Sequence, residues 1–492
     1  MQQKISIGKQ NFADMRENKY FLIDKTDFIK EWWDSGDDVT LITRPSRFGK
    51  TLNMSMLECF FSNRYAGRGD LFEGLSVWED EAYRQIQGTY PVIFLSFADV
   101  KADNIQDARF QVKVKISELF DQNTYLLDSN VLSDNEKDIF KNITMYMDDA
   151  LCCSAVNIMC RYMQRYYNKK VIVLLDEYDT PMQEAYIHGY WDEFTAFLRS
   201  LFNATFKTNP YLERAVMTGI TRVSKESMFS DLNNLNVVTT TSDEYSSCFG
   251  FTEEEVFDSL DAFGLSDKKQ EVKKWYDGFT FGSHKDIYNP WSVTSYLDKK
   301  RIAPYWASTS SNGLVSRLLQ TASTQVKELM EELLRGGTIV VNFDEQIVFN
   351  QLDTNESAIW SLLVAGGYLK VNEVEYRGEL LEPWYHLSIT NLETMSMFSG
   401  MFKGWFSNSL SNYNAFVAAL LSGSLKEMNI YMNEVALSTF SSFDTGVHPS
   451  ERTQPERFYH GFVLGLLVEL RDIYEVKSNR ESGYGRYDVM LI

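Results

Sequence analysis

Arg44-Pro45-Ser46-Arg47-Phe48-Gly49-Lys50-Thr51 is the stretch that decides the fold of this chain. It follows an apolar run, Val39 to Ile42, and precedes the helical pattern of Leu52 to Phe61. Between a strand and a helix, glycine lets backbone N–H groups approach a phosphate, lysine reaches the β and γ phosphates, and a threonine hydroxyl can bind Mg²⁺. We therefore predict a loop that binds the phosphates of a nucleotide. The usual pattern begins with glycine where this chain has Arg44, so a search for that pattern alone would miss the loop.

A second apolar run ends in acidic residues. Lys169 to Leu175 indicates a buried parallel strand, and Asp176, Glu177 and Asp179 follow at its carboxyl end. Phosphoryl transfer needs positioned charge more than covalent help, so Asp176 is predicted to hold Mg²⁺ through water and Glu177 to polarise the attacking water. Each motif alone is weak, because a core strand can end in acids for no catalytic reason. Their order and their strand contexts together predict a site for ATP and Mg²⁺.

Two further strands complete the predicted sheet. Pro91 to Phe97 is apolar, and we place it between the loop strand and the acid strand, as in ATPases with an inserted strand. Ala215 to Thr218 runs into polar residues. Thr218 or Thr221 could sense the γ phosphate and Arg222 could neutralise charge in the transition state, but a strand must also end in something polar, so both interpretations stay open. The pattern predicts an α/β domain over residues 1–250, a P-loop NTPase parallel sheet with helices on both faces.

The motifs together resemble the bacterial AAA-ATPase-like family, whose loop also carries Arg-Pro before its single glycine. The resemblance rests on four segments: Asn18 to Thr26, Thr43 to Thr51, Leu175 to Asp179, and Thr218 to Arg222. It covers about residues 4 to 240 and explains Arg44 as a family trait. It implies ATP binding, whereas hydrolysis still rests on Glu177.

The segment before the loop strand has two interpretations. In the AAA-ATPase-like family it lies close to the loop, which implies that Tyr20, Asp24 and Lys25 border the nucleotide base or the loop. Alternatively, these residues only cap the helix from Thr26 to Trp33.

The middle of the chain, residues 251–390, is predicted to be mostly helical, with Thr252 and Glu255 capping its first helix. Two aromatic motifs resemble the helical lid that follows the ATPase core in this group, although such aromatic residues are more often core; they are Trp275 to Phe279 and Tyr288 to Val293. A helix and two strands then fit either a small winged-helix-like module or a plain connection: Ser357 to Leu363, Gly366 to Asn372, and Trp384 to Thr390.

The last part of the chain, residues 391–492, is predicted to be a restriction-endonuclease-like α/β domain. Glu456-x-x-x-His460 on a predicted helix, followed by strands from Tyr474 and Arg486, resembles the PD-(D/E)XK nuclease superfamily. The resemblance implies that Asp488 binds a metal ion and that Glu456 is the supporting carboxylate. Asp488 could instead flank an ordinary turn, and His460 could be a core histidine.

A nuclease site of this kind also needs Glu-x-Lys on the next strand. Glu475-Val-Lys477 has that spacing but precedes Asp488, and no Glu-x-Lys follows Asp488. We expect that the natural protein continues past Ile492, so that this domain is truncated here; the alternative is a degenerate domain.

Composition limits the class of protein. The chain has 48 basic and 68 acidic residues, a net charge of −20, which disfavours broad, non-specific nucleic-acid binding but leaves room for a local basic groove. No apolar run approaches the roughly 18 residues of a membrane span, and no signal segment follows Met1. The five cysteines lack metal-ligand spacing and lie mostly in apolar segments. We predict a cytoplasmic protein without a membrane partner, with buried thiols.

The predicted function is ATP binding and hydrolysis, coupled to the nuclease-like domain acting on DNA or another nucleic acid, in defence against foreign DNA or in its mobility. The alternative is a nucleotide-gated interaction protein with an inactive nuclease-like domain, which the missing Glu-x-Lys and the acidic composition favour. A third hypothesis is an ATP binder that barely hydrolyses. A homo-oligomer is also open, because Arg222 could act in its own subunit or across an interface.

Overall fold

The structure, a computed structural model, describes residues 3–207, 209–222, 229, 232–307, 313–345, 352, 355–405, 410–430, 474–482 and 485–491. The chain divides into two compact units. The first contains Met1–Ile302 and Asp344–Gly367, and the second contains Ala303–Phe343 and Tyr368–Ile492. The chain therefore leaves the first unit, returns to it for one segment and leaves it again.

A five-stranded parallel sheet forms the core of the first unit. Its strands are β1 (Val39–Thr43), β2 (Val92–Ser96), β3 (Val171–Asp176), β4 (Leu212–Gly219) and β5 (Leu235–Val238). Their order across the sheet is β2-β3-β4-β1-β5, and all neighbours are parallel. β1 and β3 are buried along their whole length, which is why both are continuous apolar runs in the sequence. The predicted α/β class is confirmed.

The position predicted for Pro91 to Phe97 is wrong. β2 pairs with β3 and lies at the edge of the sheet, and β4 is the strand inserted between the loop strand and the acid strand. Met217 of β4 lies opposite both Leu41 and Leu175. The apolar runs of β2 and β4 have the same local pattern, so the pattern could not show which of them lies inside.

Helices flank this sheet. In chain order they are α1 (Phe12–Glu17), α2 (Asp27–Ser35), α3 (Lys50–Phe61), α4 (Glu81–Ile86), α5 (Ile105–Asp121), α6 (Asp134–Asn142), α7 (Asp149–Tyr167), α8 (Thr180–Ile187) and α9 (Trp191–Phe202). Polar side chains begin several of them: Asp148 accepts a bond from the backbone N–H of Leu151 at 2.7 Å, and Ser133 forms a capping box with Glu136. The long helices α5, α7 and α9 pack against one another.

The segment after β5 combines helices with a small antiparallel sheet. It contains β6 (Phe251–Thr252), α10 (Glu253–Ala262), α11 (Lys269–Tyr276), β7 (Phe279–Phe281), β8 (His284–Tyr288) and α12 (Pro290–Lys299), with the strand order β6-β8-β7. The capping box of Thr252 and Glu255 is confirmed. The two aromatic motifs flank a hairpin rather than lying in continuous helices, and Tyr276, Phe279 and Tyr288 are buried core residues.

An ionic cluster, here called the hairpin cluster, lies on this small sheet. It consists of Glu253, Lys273, Asp277, Asp286 and Tyr288. Lys273 pairs with Glu253 and lies 3.9 Å from a carboxylate oxygen of both Asp277 and Asp286. The Tyr288 hydroxyl donates to Glu253 at 3.2 Å. Burial and the neighbouring Asp286 raise the pKa of Asp277 to about 7.

The remaining elements complete both units. In chain order they are α13 (Gly313–Thr321), α14 (Thr324–Leu334), β9 (Ile339–Val341), α15 (Ser357–Ala365), β10 (Leu369–Arg377), β11 (Glu382–Ile389), α16 (Leu392–Trp405), α17 (Leu410–Ser422), β12 (Val476–Ser482) and β13 (Gly485–Leu491). The helix and two strands predicted between residues 357 and 390 are present, but α15 belongs to the first unit and β10 and β11 belong to the second. β10, β11 and β9 form an antiparallel sheet.

The two strands predicted near the end of the chain are β12 and β13, which form an antiparallel pair that places Asp488 on β13. The predicted helix with Glu456 and His460 lies outside the described residues. Across the described ranges, no helix has both the length and the apolar character needed to cross a membrane.

The five cysteines form no disulfide. Four of them are buried and Cys153 is half-buried, and burial raises the pKa of every one of these thiols. Within the part of the chain that the structure describes, no group of three or more His, Cys, Asp or Glu side chains is arranged to hold a metal ion. Four of the five thiols are therefore buried, as the sequence predicted, and Cys153 is partly exposed.

Candidate nucleotide site

The phosphate-loop motif connects the end of β1 to the start of α3. Gly49 adopts φ 84°, in the left-handed region, and its carbonyl accepts the first helical bond from Asn53 at 2.9 Å. A Cβ atom added to Gly49 would meet no other atom within 4 Å, so the space above the loop is open. The geometry is that of a helix N-terminus whose backbone N–H groups are accessible to an anion.

Lys50 bends back over the loop that precedes it. Its Nζ donates to the carbonyl oxygens of Arg44 and Pro45, both at 3.1 Å, and lies 3.7 Å from Glu177 Oε1. Only 3% of the side chain is exposed. The ammonium group is thus held between the loop and the acid strand, where a phosphate bound by the loop would lie beside it.

Asp176 is bracketed by two threonine hydroxyls. Thr51 Oγ1 donates to Asp176 Oδ2 at 2.7 Å, and Thr218 Oγ1 donates to Oδ1 at 2.6 Å. Asp176 is fully buried, and burial raises the pKa of its carboxyl, an effect that the two hydrogen bonds oppose. The sheet order therefore brings together three of the predicted residues, because β4 carries Thr218 directly beside the end of β3.

Glu177 has a backbone conformation that is unusual for a residue with a side chain. Its φ is 54°, in the left-handed region, and the following N–H, that of Tyr178, donates to the Thr218 carbonyl at 3.0 Å. Its carboxylate accepts from Thr180 Oγ1 at 3.2 Å and faces Lys50. The strained turn directs Glu177 toward the loop instead of along the strand.

Asp179 is a site residue to which sequence reasoning gave no role. It is fully buried, and its Oδ2 accepts from the backbone N–H groups of Ile220 and Thr221 at 3.0 and 2.8 Å and from Thr221 Oγ1 at 2.7 Å. Burial and the nearby Glu177 raise the pKa of Asp179. Gly219 permits this approach, because a Cβ there would lie 2.6 Å from Asp179 Oδ1. The signal in the sequence was a second acid after the strand together with a glycine at the end of β4.

Arg44 explains why the first glycine of the usual pattern can be absent. Its guanidinium is fully buried and donates to the carbonyls of Thr43, Thr239 and Glu244 at 3.0, 2.6 and 3.1 Å, while lying 4.6 Å from the ring centre of Phe281. Burial lowers the pKa of Arg44 to about 10. The side chain is used inside the protein, which leaves only its backbone for a nucleotide.

A cavity of about 270 Å³ lies beside the loop. It is lined by all loop residues from Ser46 to Thr51, by Glu177, by the N-terminal segment and by the start of α12. Asp24 and Lys25 line it, whereas Tyr20 does not; Asp24 also accepts from the Thr26 N–H at 2.9 Å before α2. Two of the three residues therefore border the cavity beside the loop, whereas α2 begins after Thr26 without a side-chain cap bond. Arg222 follows Thr221 and is half-buried, and residues 223–228 after it are outside the described ranges.

Comparison with known proteins agrees with both resemblances. Residues 6–229 match the family described as Predicted AAA-ATPase, and residues 454–492 match the PD-(D/E)XK nuclease superfamily. The chain is also 26% identical over 506 residues to a protein of Azotobacter chroococcum mcd 1 named "Uncharacterized protein in vnfD 5'region", a match that covers 99% of this chain and 87% of the relative. That name assigns no activity, so the two family matches carry the functional information.

Proposed function

We propose that the loop, Asp176 and Glu177 form a site that binds and hydrolyses ATP with Mg²⁺. The proposal rests on one observation: Thr51 Oγ1 donates to Asp176 Oδ2 at 2.7 Å at the base of a loop that has open space above Gly49. Both groups are hard oxygen donors, the kind that Mg²⁺ prefers. The residues present therefore fit a nucleotide with its magnesium ion.

Each side chain of the site has a distinct role in binding or hydrolysis. Lys50 and the loop N–H groups would bind the phosphates, and Thr51 and Asp176 would hold the ion, Asp176 through water. Thr218 keeps Asp176 oriented by its 2.6 Å bond. The bound ion would neutralise charge on the transferred phosphoryl group. Glu177 would orient water and accept its proton, and Arg222 would add positive charge from the same or a neighbouring subunit.

The test is Mg²⁺-dependent ATP turnover of the full chain, with nucleotide binding measured on the same samples. We expect Lys50→Ala to lose both, and Glu177→Gln to keep binding while turnover falls by about 10²–10⁴-fold, the usual value of a general base. Glu184→Gln is a matched control, because the Glu184 side chain on α8 is 24% exposed, close to the 22% of Glu177, and pairs with His188 just after that helix. Binding without turnover in the wild type would refute hydrolysis and favour a nucleotide-gated interaction protein.

We further propose that the nucleotide state controls a nuclease-like activity toward nucleic acid, in defence against foreign DNA or in its mobility. The match of residues 454–492 to a nuclease superfamily supports this proposal, and Asp488 on β13 is the residue that would bind the metal ion, with Glu456 in support. The net charge of −20 favours the alternative of a non-cleaving interaction protein.

Cleavage of plasmid and single-stranded DNA with Mg²⁺, in the presence of ATP or ADP, separates these two candidates. Nucleotide-dependent cleavage that Asp488→Asn abolishes would establish the nuclease. Absence of cleavage by wild type and variant alike, with nucleotide binding intact, would count against a nuclease activity of this chain and favour the interaction protein.

A further inference from the structure

The loop is held from outside at every residue between β1 and Gly49. Arg44 donates to the carbonyls of residues 239 and 244, and a Cβ on Gly367 would lie 2.8 Å from Pro45. The Ser46 carbonyl accepts from Asn289 at 3.4 Å. Arg47 lies 4.4 Å from the centre of the Trp291 ring, and the ring of Phe48 packs 4.8 Å from that of Phe279. The contacts of Arg44, Pro45, Ser46 and Phe48 are buried or fix the position of the loop backbone. The contact of Arg47 differs, because it joins an exposed side chain to a ring that lines the cavity.

Arg47 also differs from the other cations of the cavity. Three lining lysines have carboxylate partners: Lys9 with Asp14 at 2.5 Å, Lys25 with Glu255 at 2.7 Å, and Lys50 with Glu177 at 3.7 Å. Among the residues that the structure describes, Arg47 has no such partner. In a chain with a net charge of −20, it is thus a cation beside the loop whose charge is left for a ligand.

The contact with Trp291 is weak enough to be exchanged for a phosphate. An exposed cation–π contact stabilises modestly, whereas a guanidinium binds phosphate oxygens through charge-assisted, often paired, hydrogen bonds. Trp291 lies at the start of α12, and the cap residue of that helix, Asn289, donates to the Ser46 carbonyl. The ring therefore holds the arginine next to the loop, at a fixed place on the cavity wall.

We infer that Arg47 recognises the terminal phosphate of a nucleoside triphosphate and that it exchanges its contact with Trp291 for this phosphate on binding. The inference rests on the proposed nucleotide site. The loop N–H groups bind the α and β phosphates and Lys50 reaches the β and γ phosphates, so Arg47 adds a second cation for the γ phosphate, which a diphosphate lacks. Arg47 thereby sets the preference of the site for a triphosphate over a diphosphate.

The test compares the dissociation constants of a non-hydrolysable ATP analogue and of ADP, with Mg²⁺, by titration calorimetry of the full chain. Arg47→Gln is expected to weaken analogue binding about 10–100-fold, the worth of a hydrogen bond to a charged group, and ADP binding less than about threefold. Arg47→Lys restores part of the preference, because it keeps the charge. Trp291→Leu tightens analogue binding about two- to fivefold, because it removes the competing contact.

Arg377→Gln is the matched control. Arg377 also lies 4.4 Å over a tryptophan ring, that of Trp384, but it is not part of the cavity wall, so both dissociation constants should equal those of the wild type. Equal weakening of analogue and ADP by Arg47→Gln, or weakening of both by Trp291→Leu, overturns the inference while leaving the nucleotide site in place. A wild type that binds neither nucleotide overturns the proposed function and this inference with it.

Discussion

Replacing Arg44 with glycine restores the first residue of the usual phosphate-loop pattern, and we expect it to damage the loop. The side chain donates to the Thr239 carbonyl at 2.6 Å, in a buried bond, and to the Glu244 carbonyl at 3.1 Å, in a part-buried bond. Glycine leaves both acceptors without this donor, at about 1–3 kcal/mol each, and adds about 0.5–1 kcal/mol of backbone entropy. Burial lowers the pKa of Arg44 to about 10, which shows that burying its charge costs free energy. Removing the charge therefore recovers part of the stability that the lost hydrogen bonds cost. The expected net destabilisation is about 3 kcal/mol.

Urea unfolding followed by tryptophan fluorescence measures this change. The chain has two units, so the transition to analyse is the one that a bound nucleotide shifts to higher urea. Arg44→Gly should lower its midpoint and weaken nucleotide binding together. Arg214→Met is the control. Arg214 lies on β4 and donates to the carbonyls of Trp32 and Trp33 at 2.8 and 2.5 Å. Its substitution should lower stability, but should weaken nucleotide binding no more than any other variant of the same stability does.

The reasoning about Arg44 has a clear point of failure. If Arg44→Gly unfolds within about 0.5 kcal/mol of the wild type, the change is no larger than that of an ordinary surface substitution. If it also binds nucleotide as well as or better than the wild type, the buried guanidinium does not shape the loop, and its contacts are incidental.

Three further predictions concern single residues of the first unit. Folding raises the pKa of Asp277 to about 7, so the folded protein binds this proton more tightly than the unfolded chain does. The free energy of unfolding should therefore fall between about pH 4 and pH 7 and level off above pH 7, and Asp277→Asn should raise this free energy by about 2 kcal/mol at pH 8 but little at pH 5. Urea unfolding at several pH values measures the effect, and a pH profile that the substitution leaves unchanged would contradict it. Gly219→Ala should destabilise by about 1–3 kcal/mol and slow ATP turnover, because its Cβ would lie 2.6 Å from a buried carboxylate oxygen; wild-type turnover would contradict this. Gly367→Ala should weaken nucleotide binding, because its Cβ would displace Pro45 of the loop. Gly264 has a similar positive φ and no atom within 4 Å of an added Cβ, so Gly264→Ala should cost only about 1 kcal/mol of stability. Equal effects of the two substitutions on nucleotide binding, measured by calorimetry, would refute the role of Gly367.

Local patterns in the sequence were enough to predict where the loop and the acid strand lie in the chain. β1, α3 and β3 have strong periodic or apolar signals, and each chemical group that they carry follows directly in the chain. The order of the strands could not be predicted in this way, because β2 and β4 have similar apolar patterns and their places depend on packing across the sheet.

The contacts that hold the loop were beyond sequence reasoning for a related reason. Their partners come from positions about 200 or more residues away, such as Thr239 for Arg44 and Asn289 for Ser46. Tyr276, Phe279 and Tyr288 are buried, as expected of core aromatic residues. Nothing in the spacing of the aromatic residues indicated that Phe279 packs on Phe48 or that Trp291 receives Arg47. The role of Asp179 was missed because its partners, Ile220 and Thr221, follow the end of β4, about 40 residues further along the chain.

The return of Asp344–Gly367 to the first unit has a consequence for how the protein is made. Glu345 accepts from Thr239 and Thr241 at 3.0 and 2.6 Å, next to the Thr239 carbonyl that accepts from Arg44, and Gly367 lies against Pro45. These residues emerge from the ribosome only after Ala303–Phe343 of the second unit. Domains usually fold as units while synthesis proceeds at about 5–20 residues per second. Here the parallel sheet can form on a nascent chain whose loop still lacks its last contacts. We expect the growing polypeptide to acquire its affinity for nucleotide late, only after residue 367 has left the exit tunnel.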